Sequence, residues 1–481
     1  MKQGFFVDNF AGGGGASTGI EFAIGRSVDV AINHDPDAIA MHRANHPTTK
    51  HYCEDVWEID PIEVSEGKEV TLAWFSPDCK HFSRAKGGKP VDKSIRGLAW
   101  VAIKWALLVR PKVIMLENVP EIQTWGPLDE NNRPIKELAG STFQAFIGVL
   151  TNGVSKNHPA FSEMCSALEY SIDSPQADIL KHGLRYTVEY RTLKSCDYGA
   201  PTSRTRFYLI AKSEDEPIIW PEPTHASKDS EDVRRGRKLP YRTVSECIDW
   251  SIPVQSIFDR DKPLAENTLR RIAKGIKKFV IDNPNPFIVP MNEKSVAPSL
   301  IQYHTETTDN EVRGQALNEP LMPLDTSNRY ALSCAYLVTL RNNMIGQALD
   351  EPLSTVSCSG AHHAEIRAFL IKYFSNGTAK PVDEPLDTIT TKDRFAVVTV
   401  KGEDYVIADI GMRMLQPREL FNAQGFPADY IIDHDADGNI YPKAKQVARC
   451  GNAVTPPVPA ALVRANLPEY CNGYRLRRGC V

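Results

Sequence analysis

One cysteine of the chain stands where a catalytic nucleophile would be placed. Cys79 lies in the loop Ser76-Pro77-Asp78-Cys79-Lys80-His81-Phe82-Ser83, directly after an apolar stretch with strand character. Loops at the carboxyl ends of parallel strands are where α/β enzymes keep their reactive groups. The adjacent Lys80 and His81 would lower the pKa of the thiol and so raise its thiolate fraction. A lone loop cysteine is usually inert, so Cys79 predicts covalent chemistry only together with partner groups.

Candidate partner groups accompany two later predicted strands. Glu117 follows the apolar run 113–116, and Arg204 and Arg206 lie at the start of another run. Residues two apart on a strand face the same side, so the two arginines would direct their charges at one place. Alone, each of these residues would be an ordinary capping or exposed side chain. Together with Cys79 they predict a nucleophile, an acid and two cations at one edge of a sheet.

A glycine-rich turn after the first predicted strand indicates a nucleotide-type ligand. Phe10 leads into Ala11-Gly12-Gly13-Gly14-Gly15, and glycine lets a backbone approach a ligand without a Cβ clash. Asp35, after the second strand, is the nearest carboxylate for ribose hydroxyls, because Asn33 holds the strand tip itself. Asp55 is the candidate for an adenine amino group. A flavin or nicotinamide site would have a similar turn, and surface turns also favour Asp.

Short β-rich stretches alternate with helical ones over the first part of the chain. The predicted strands cover residues 5–10, 28–33, 72–75, 113–116, 186–193 and 207–211. Helices are predicted between them at 19–23, 36–44 and 97–109. This alternation is typical of an α/β fold with a doubly wound, mostly parallel sheet of Rossmann type.

From about residue 213 to 405 the chain is rich in prolines and β-branched residues, which predicts a second, β-rich domain. Glu-Pro-Leu recurs at 319–321, 351–353 and 384–386, a spacing that suggests similar β-units side by side. One amphipathic helix stands out here, with Leu269, Ile272 and Ile276 on its apolar face. Its other face carries the cations Arg270, Arg271, Lys274, Lys277 and Lys278. Helical pattern returns from residue 406 to 481.

Composition restricts the class of protein. The net charge of −4 excludes a chain that is basic throughout, although only a docking face has to be basic for nucleic-acid binding. The longest apolar runs are too short to cross a bilayer, and Asp8 leaves no room for a secretory signal. The ten cysteines contain no Cys-x-x-Cys pair, which argues against zinc and against a disulfide scaffold. We expect a cytoplasmic protein with no membrane association and no metal.

Six motifs in this order resemble the DNA (cytosine-5-)-methyltransferase family. They are Phe10-x-Gly12-x-Gly14, Cys79-x-x-Phe82-Ser83, Glu117-Asn118-Val119, Arg204-x-Arg206, Pro417-Arg418-Glu419…Gln424-Gly425-Phe426-Pro427 and Gly451-Asn452. The chain departs from the family pattern at Asp78, Lys80, Thr202, Asn33 and Ala453, where the family usually has Pro, Gln, Gln, an acidic residue and Ser.

The resemblance implies a class I methyltransferase-like domain over residues 1–212, completed by 406–481, with a target-recognition domain at 213–405. It implies that Cys79 attacks carbon 6 of a flipped-out cytosine and that protonated Glu117 donates at nitrogen 3. Arg206, supported by Arg204, would hold the exocyclic oxygen. The implied cofactor is S-adenosylmethionine, held by Phe10, Gly12, Gly14, Asp35, Asp55, Asp78 and Asn452.

The implied partner is double-stranded DNA, read by the middle domain, with the phosphates held by the basic helix. A loop containing Lys86, Gly87, Gly88 and Lys89 would close over the base. The sequence leaves the oligomeric state open, with a monomer as the expectation. Three alternatives remain: a cytosine methyltransferase acting on RNA, a nicotinamide- or flavin-binding oxidoreductase, and a catalytically silent DNA-binding protein.

Overall fold

The computed structural model describes residues 2–78, 97–213, 216–291, 294–304, 311–339, 397–400 and 403–472. The chain forms two compact units. The first consists of Met1–Arg242, Met322–Ser327 and Leu420–Val481, and the second of Thr243–Leu321 and Asn328–Glu419. The domain boundaries predicted after residues 212 and 405 stay predictions.

The first unit contains a seven-stranded sheet and a separate pair of short strands. The strands are β1 (Phe5–Asn9), β2 (Val30–Ile32), β3 (Lys50–Tyr52), β4 (Val70–Phe75), β5 (Val113–Asn118), β6 (Thr187–Lys194), β7 (Thr205–Lys212), β8 (His225–Ala226) and β9 (Leu239–Pro240). The sheet order is β3-β2-β1-β4-β5-β7-β6. Strands β1 to β5 are parallel, and β7 is antiparallel to both of its neighbours. The prediction of a mostly parallel, doubly wound α/β sheet is confirmed.

Helices cover both faces of this sheet, which explains the unbroken apolar runs of its central strands. All six residues of β4 and of β5 are buried, as expected for parallel strands packed on both sides. Along β1, Phe5 and Val7 belong to one hydrophobic cluster and Phe6 to the other. The alternation of side chains therefore divides each strand between two cores.

Up to Arg242, the helices of the first unit lie between these strands. They are α1 (Gly15–Ile24), α2 (Pro36–Asn45), α3 (Pro61–Ser65), α4 (Trp100–Leu108), α5 (Ser141–Leu150), α6 (Pro159–Ala167), α7 (Pro175–His182) and α8 (Glu231–Arg234). A 3₁₀ turn, Gly97–Ala99, precedes α4. The helices predicted at 36–44 and 97–109 have nearly these bounds, whereas α1 begins four residues before the predicted start at 19.

The second unit is built on an antiparallel sheet with one helix packed against it. Its helix is α9 (Glu266–Ile276), followed by a π-helical turn, Lys277–Ile281. Its strands are β10 (Val289–Met291), β11 (Lys294–Gln302), β12 (Gly314–Ala316), β13 (Tyr330–Thr339), β14 (Val397–Val400) and β15 (Glu403–Met414). The sheet order is β10-β11-β13-β15-β14, with β12 beside β11. Ile272 and Ile276 of α9 share a hydrophobic cluster with Ala297 and Ile301. The prediction of a second, β-rich domain is confirmed.

Three helices lie in residues 406–481, here called the return segment: α10 (Pro417–Ala423), α11 (Lys443–Asn452) and α12 (Pro457–Asn466). Of the three Glu-Pro-Leu repeats, the copies at 351–353 and 384–386 lie outside the described residues. No helix in the described stretches is long and apolar enough to cross a membrane. The same stretches contain no group of three or more side chains suited to hold a metal ion.

Candidate active site

The glycine-rich turn connects β1 to α1 in a conformation that needs glycine. Gly12 and Gly14 have positive φ of 51° and 89°, and Phe10 itself has φ 64°. At Gly14 an added Cβ would overlap the Tyr430 hydroxyl, and at Gly15 it would overlap the Val454 backbone. The turn therefore owes its glycines to left-handed backbone and to close packing by the return segment.

Tyr430, from the return segment, fixes this turn. Its hydroxyl donates a hydrogen bond of 2.6 Å to the Gly13 carbonyl oxygen, and its side chain is buried. The ring packs against Phe421 and Phe426. Tyr430 was not predicted as a site residue, because no local sequence signal connects it to a turn so far away in the chain.

We expect Tyr430→Phe to weaken binding of the cofactor that the resemblance implies, while leaving the fold intact. The substitution leaves a buried carbonyl without its donor, which costs about 1 kcal/mol or a little more, or about fivefold in the dissociation constant of S-adenosylmethionine. Calorimetric titration measures this constant. Tyr441→Phe is the matched control, since the Tyr441 hydroxyl is buried without a hydrogen-bond partner among the described residues. Equal losses in the two variants would contradict a role in shaping the turn.

A buried polar cluster lies behind the turn. The Ser17 hydroxyl donates to Asp8 Oδ2 at 2.7 Å and lies 2.9 Å from His42 Nε2. His42 Nδ1 is 2.8 Å from His51 Nε2, and His46 pairs with a glutamate of α1. Burial raises the pKa of Asp8 to about 7. Burial first, then repulsion by the other two imidazoles, holds the pKa of His42 well below its usual value.

This cluster joins β1, α1, α2 and β3 beneath the turn, and its residues were not among the predicted site residues. The only sequence signal was the spacing of His42 and His46, four apart, which places His46, the residue after the end of α2, on the same side as His42. A histidine pair at that spacing is common in ordinary helices, so the signal alone predicts nothing specific.

The candidate ribose carboxylate, Asp35, is engaged within the protein. It caps α2, with its Oδ1 accepting from the Asp37 and Ala38 amides, and its Oδ2 lies 2.6 Å from Arg449 Nη2. Burial opposes its charge, but Arg449 and the helix amides outweigh burial and lower the pKa of Asp35. Both of its oxygens therefore serve structural contacts.

The second carboxylate, Asp55, is exposed after the end of β3, and its Oδ1 accepts from the Trp57 amide at 3.1 Å. Beside it lies a cavity of about 680 Å³ whose lining includes Trp57, Lys104 and Trp125. The Lys104 ammonium donates to the carbonyl oxygens of Trp57 and Ile59. No local sequence pattern predicts this cavity, since its walls come from four separate stretches of the chain.

The start of the cysteine loop is held between two strand ends. The Ser76 amide donates to the Asn9 carbonyl oxygen, and the Asn118 side-chain amide donates to the Pro77 carbonyl oxygen at 3.0 Å. Asp78 is half-buried. Cys79, Lys80 and the predicted lid at 86–89 lie outside the described residues.

Glu117, Arg204 and Arg206 come together at the carboxyl end of β5. Glu117 is buried, with 7% exposure, and its Oε1 lies 3.3 Å from Arg206 Nε without a hydrogen bond to any described residue. Burial raises the pKa of Glu117, and the charges of Arg206 and then Arg204 offset part of the rise. A buried carboxyl whose pKa is raised beside two cations is suited to donate a proton near neutral pH.

Arg204 faces this cluster and the return segment. It is 3% exposed, and its Nη1 donates to the Gly451 carbonyl oxygen at 3.0 Å. The neighbouring candidate Asn452 ends α11 and is exposed. Arg204 therefore joins the Glu117 cluster to the motif Gly451-Asn452, which lies far away in sequence.

The cations predicted to bind DNA lie on and just after α9 in the second unit. Arg270 pairs with Glu266 and Lys277 with Asp282, while Arg271 and Lys274 donate to backbone carbonyl oxygens. Lys278 lies over the Phe279 ring. Arg270, Lys277 and Lys278 are exposed. These three are the cations that a phosphate could reach most readily.

A seven-stranded sheet with a reversed β7, a glycine turn after β1 and an acid with two arginines at the end of β5 define a class I methyltransferase. The family model of C-5 cytosine-specific DNA methylases matches residues 5–150 and 180–466. The chain therefore belongs to the C-5 cytosine-specific DNA methylase family, and it is an enzyme of the DNA (cytosine-5-)-methyltransferase class.

Curated relatives are type II methyltransferases. The chain is 25% identical over 260 residues to M.AquIA of Picosynechococcus sp., covering 51% of this chain and 88% of that protein. It is 24% identical to M.HgiBI of Herpetosiphon aurantiacus, with 97% of each covered. With M.AgeI of Thalassovita gelatinovora it is 23% identical and spans 42% of that protein's length. Among solved structures, the S. pombe Dnmt2 methyltransferase matches at 12% identity with a TM-score of 0.44, covering 96% of this chain and 97% of that one.

Proposed function

We propose that the protein transfers a methyl group from S-adenosylmethionine to carbon 5 of cytosine at a specific sequence in duplex DNA. The reaction proceeds through a covalent bond between Cys79 and carbon 6 of a flipped-out base. The observation that carries the proposal is the buried Glu117–Arg206 pair beside Pro77, where the cysteine loop begins.

The proposal requires the Cys79 thiol to reach this pair, and the chain that connects them is short. Pro77 is held against Asn118, the residue after Glu117, and Cys79 follows two residues later. Two residues of extended chain span at most about 7 Å. This short connection is consistent with the proposed attack of Cys79 on a pyrimidine that also contacts Glu117.

Each of these side chains has its own role in the proposed reaction with cytosine. The Cys79 thiolate adds to carbon 6, while Glu117 donates its proton at nitrogen 3, so that carbon 5 gains the electron density of an enamine. Arg206 holds the exocyclic oxygen and stabilises the charge that develops on the ring. Loss of the carbon-5 proton after methylation restores the double bond and expels the Cys79 thiolate.

S-adenosylmethionine supplies the methyl group, and the turn after β1 fits such a ligand. At Gly12 an added Cβ would meet only the Phe10 carbonyl oxygen, at 3.8 Å, so the space beside the turn is open. Asp8 Oδ1 and Asn9 Oδ1, at the end of β1, are buried without hydrogen-bond partners among the described residues. Phe10, Gly12 and Gly14 would hold the ligand, with Asp55, Asp78 and Asn452 as further contacts.

Access to the base requires flipping, which costs a few kcal/mol of unstacking. Residues 1–212 and 406–481 would form the catalytic part and 213–405 the target-recognition part. The cations Arg270, Arg271, Lys274, Lys277 and Lys278 would contact phosphate. Exposed ion pairs contribute little stability, so a phosphate can replace the carboxylate partners of Arg270 and Lys277 at small cost.

The test is covalent trapping on DNA that contains 5-fluorocytosine. Unmethylated bacterial genomic fragments are copied with the fluorinated nucleotide, so that the recognised sequence need not be known. Because fluorine blocks the final elimination, wild-type protein with S-adenosylmethionine should form an adduct that survives a denaturing gel. Cys79→Ser should form none, whereas Cys53→Ser, which removes an exposed thiol elsewhere, should trap like wild type.

Two other outcomes would replace the proposal. An adduct on the same pool transcribed as RNA with 5-fluorocytidine, and none on DNA, would make the enzyme an RNA methyltransferase. Absence of any adduct together with tight nicotinamide binding would point to the oxidoreductase alternative.

A further inference from the structure

A short segment from the middle of the chain belongs to the first unit. Met322–Ser327 lies in sequence between β12 and β13, which are both strands of the second unit's sheet, yet its contacts place it in the first. The chain thus leaves the second unit after Leu321 and returns to it at Asn328.

Within the first unit this segment touches Arg204. The Leu324 carbonyl oxygen lies 3.5 Å from Arg204 Nη1, the nitrogen that also donates to Gly451. Leu324 is buried, with 7% exposure. A single buried guanidinium is therefore shared between the segment and the Gly451-Asn452 motif at the end of α11.

Glycine at position 451 allows the segment to pack closely against the end of α11. A Cβ at Gly451 would overlap the Asp325 carbonyl oxygen and crowd the Thr326 amide. Gly451 lies within an α-helix, where glycine is otherwise unfavourable. Close approach of the Asp325 backbone explains why glycine stands there.

Both flanks of the segment are anchored in the second unit. Before it, the Gln315 side chain donates to the Pro320 carbonyl oxygen at 3.0 Å, and the Val244 amide donates to the Glu319 carbonyl oxygen. After it, the Tyr303 amide donates to the Arg329 carbonyl oxygen. A displacement of β12 or β13 would therefore shift the ends of Met322–Ser327.

We propose that Met322–Ser327 is a coupling segment through which the recognition part of the chain sets the position of Arg204 in the active site. Leu324 is its positioning residue. The inference rests on the proposed function. It also gives a role to the first Glu-Pro-Leu repeat, which leads directly into the segment. Arg204 in turn acts on Glu117, whose proton affinity its charge lowers.

Leu324→Ala tests this role. The variant should lower the single-turnover rate of methyl transfer to unmethylated genomic DNA at least tenfold. The dissociation constants for S-adenosylmethionine and for that DNA should stay within twofold of wild type. Leu324→Met, which keeps the buried volume, should restore the rate to within twofold. Thr326→Ala, on an exposed side chain of the same segment, should behave like wild type.

Results that contradict the coupling role differ from results that contradict the proposed function. A wild-type rate in Leu324→Ala, or a rate that falls only in step with binding of cofactor or DNA, would overturn the coupling role. If Leu324→Ala does not fold, Leu324→Val serves the same comparison with a smaller truncation. Failure of wild-type protein in the 5-fluorocytosine test would overturn the proposed function itself, whereas normal trapping with an unaffected Leu324→Ala rate overturns the coupling alone.

Discussion

Glu117→Gln should lower the rate of methyl transfer about a thousandfold at neutral pH, within the range typical of a lost general acid. Glutamine fills the same space and keeps an N–H donor, but it has no proton to transfer to nitrogen 3. Because burial raises the pKa of Glu117, the wild-type carboxyl keeps its proton to a higher pH than an exposed glutamate would. The wild-type rate should therefore fall as pH rises through this pKa.

Single-turnover assays at saturating cofactor and DNA measure the effect. The dissociation constant of S-adenosylmethionine should change less than twofold, since the predicted cofactor contacts lie elsewhere. Glu121→Gln makes the same substitution four residues further along, on a half-buried side chain, and should keep the wild-type rate. If the Glu117→Gln enzyme kept more than a tenth of the wild-type rate, Glu117 would not be the group that donates the proton to nitrogen 3.

The central strands were predictable because strands buried on both faces consist mainly of apolar residues. β4 and β5 are buried along their whole length, so they appear as unbroken apolar runs. The edge strand β3 was not predicted, because Lys50–Tyr52 has one exposed and two half-buried residues and no apolar run. Helix α1 extends back to Gly15 because the return segment packs on its first turn, which no local propensity reveals.

The candidate site also has a part that was predictable from the sequence and a part that was not. The types and order of Glu117, Arg204 and Arg206 were readable from the sequence, because each sits at a strand end. The partners that define their chemistry were not. Arg204 donates to a carbonyl oxygen about half the chain away, at Gly451, and Tyr430 donates to Gly13 across most of the chain. These hydrogen bonds form only when distant parts of the chain pack together, so no local sequence pattern predicts them.

Arg206→Met should lower the rate about a hundredfold, the usual cost of one lost electrostatic contact in an active site, and should also change its pH dependence. The guanidinium is the larger of the two charges that hold the pKa of Glu117 down. Without it the carboxylate is less favoured, so this pKa rises and the acid form persists to higher pH. The falling limb of the pH–rate profile should therefore move to higher pH, although the maximal rate is lower.

This pair of changes separates Arg206 from a merely structural residue. Loss of packing would lower the rate at every pH and leave the limb where it was. Arg191→Met is the matched control, because Arg191 carries the same charge on the neighbouring strand β6 but is exposed and lies over the Trp220 ring. A limb that stays in place in Arg206→Met, or moves equally in Arg191→Met, would show that Glu117 is not the group that titrates.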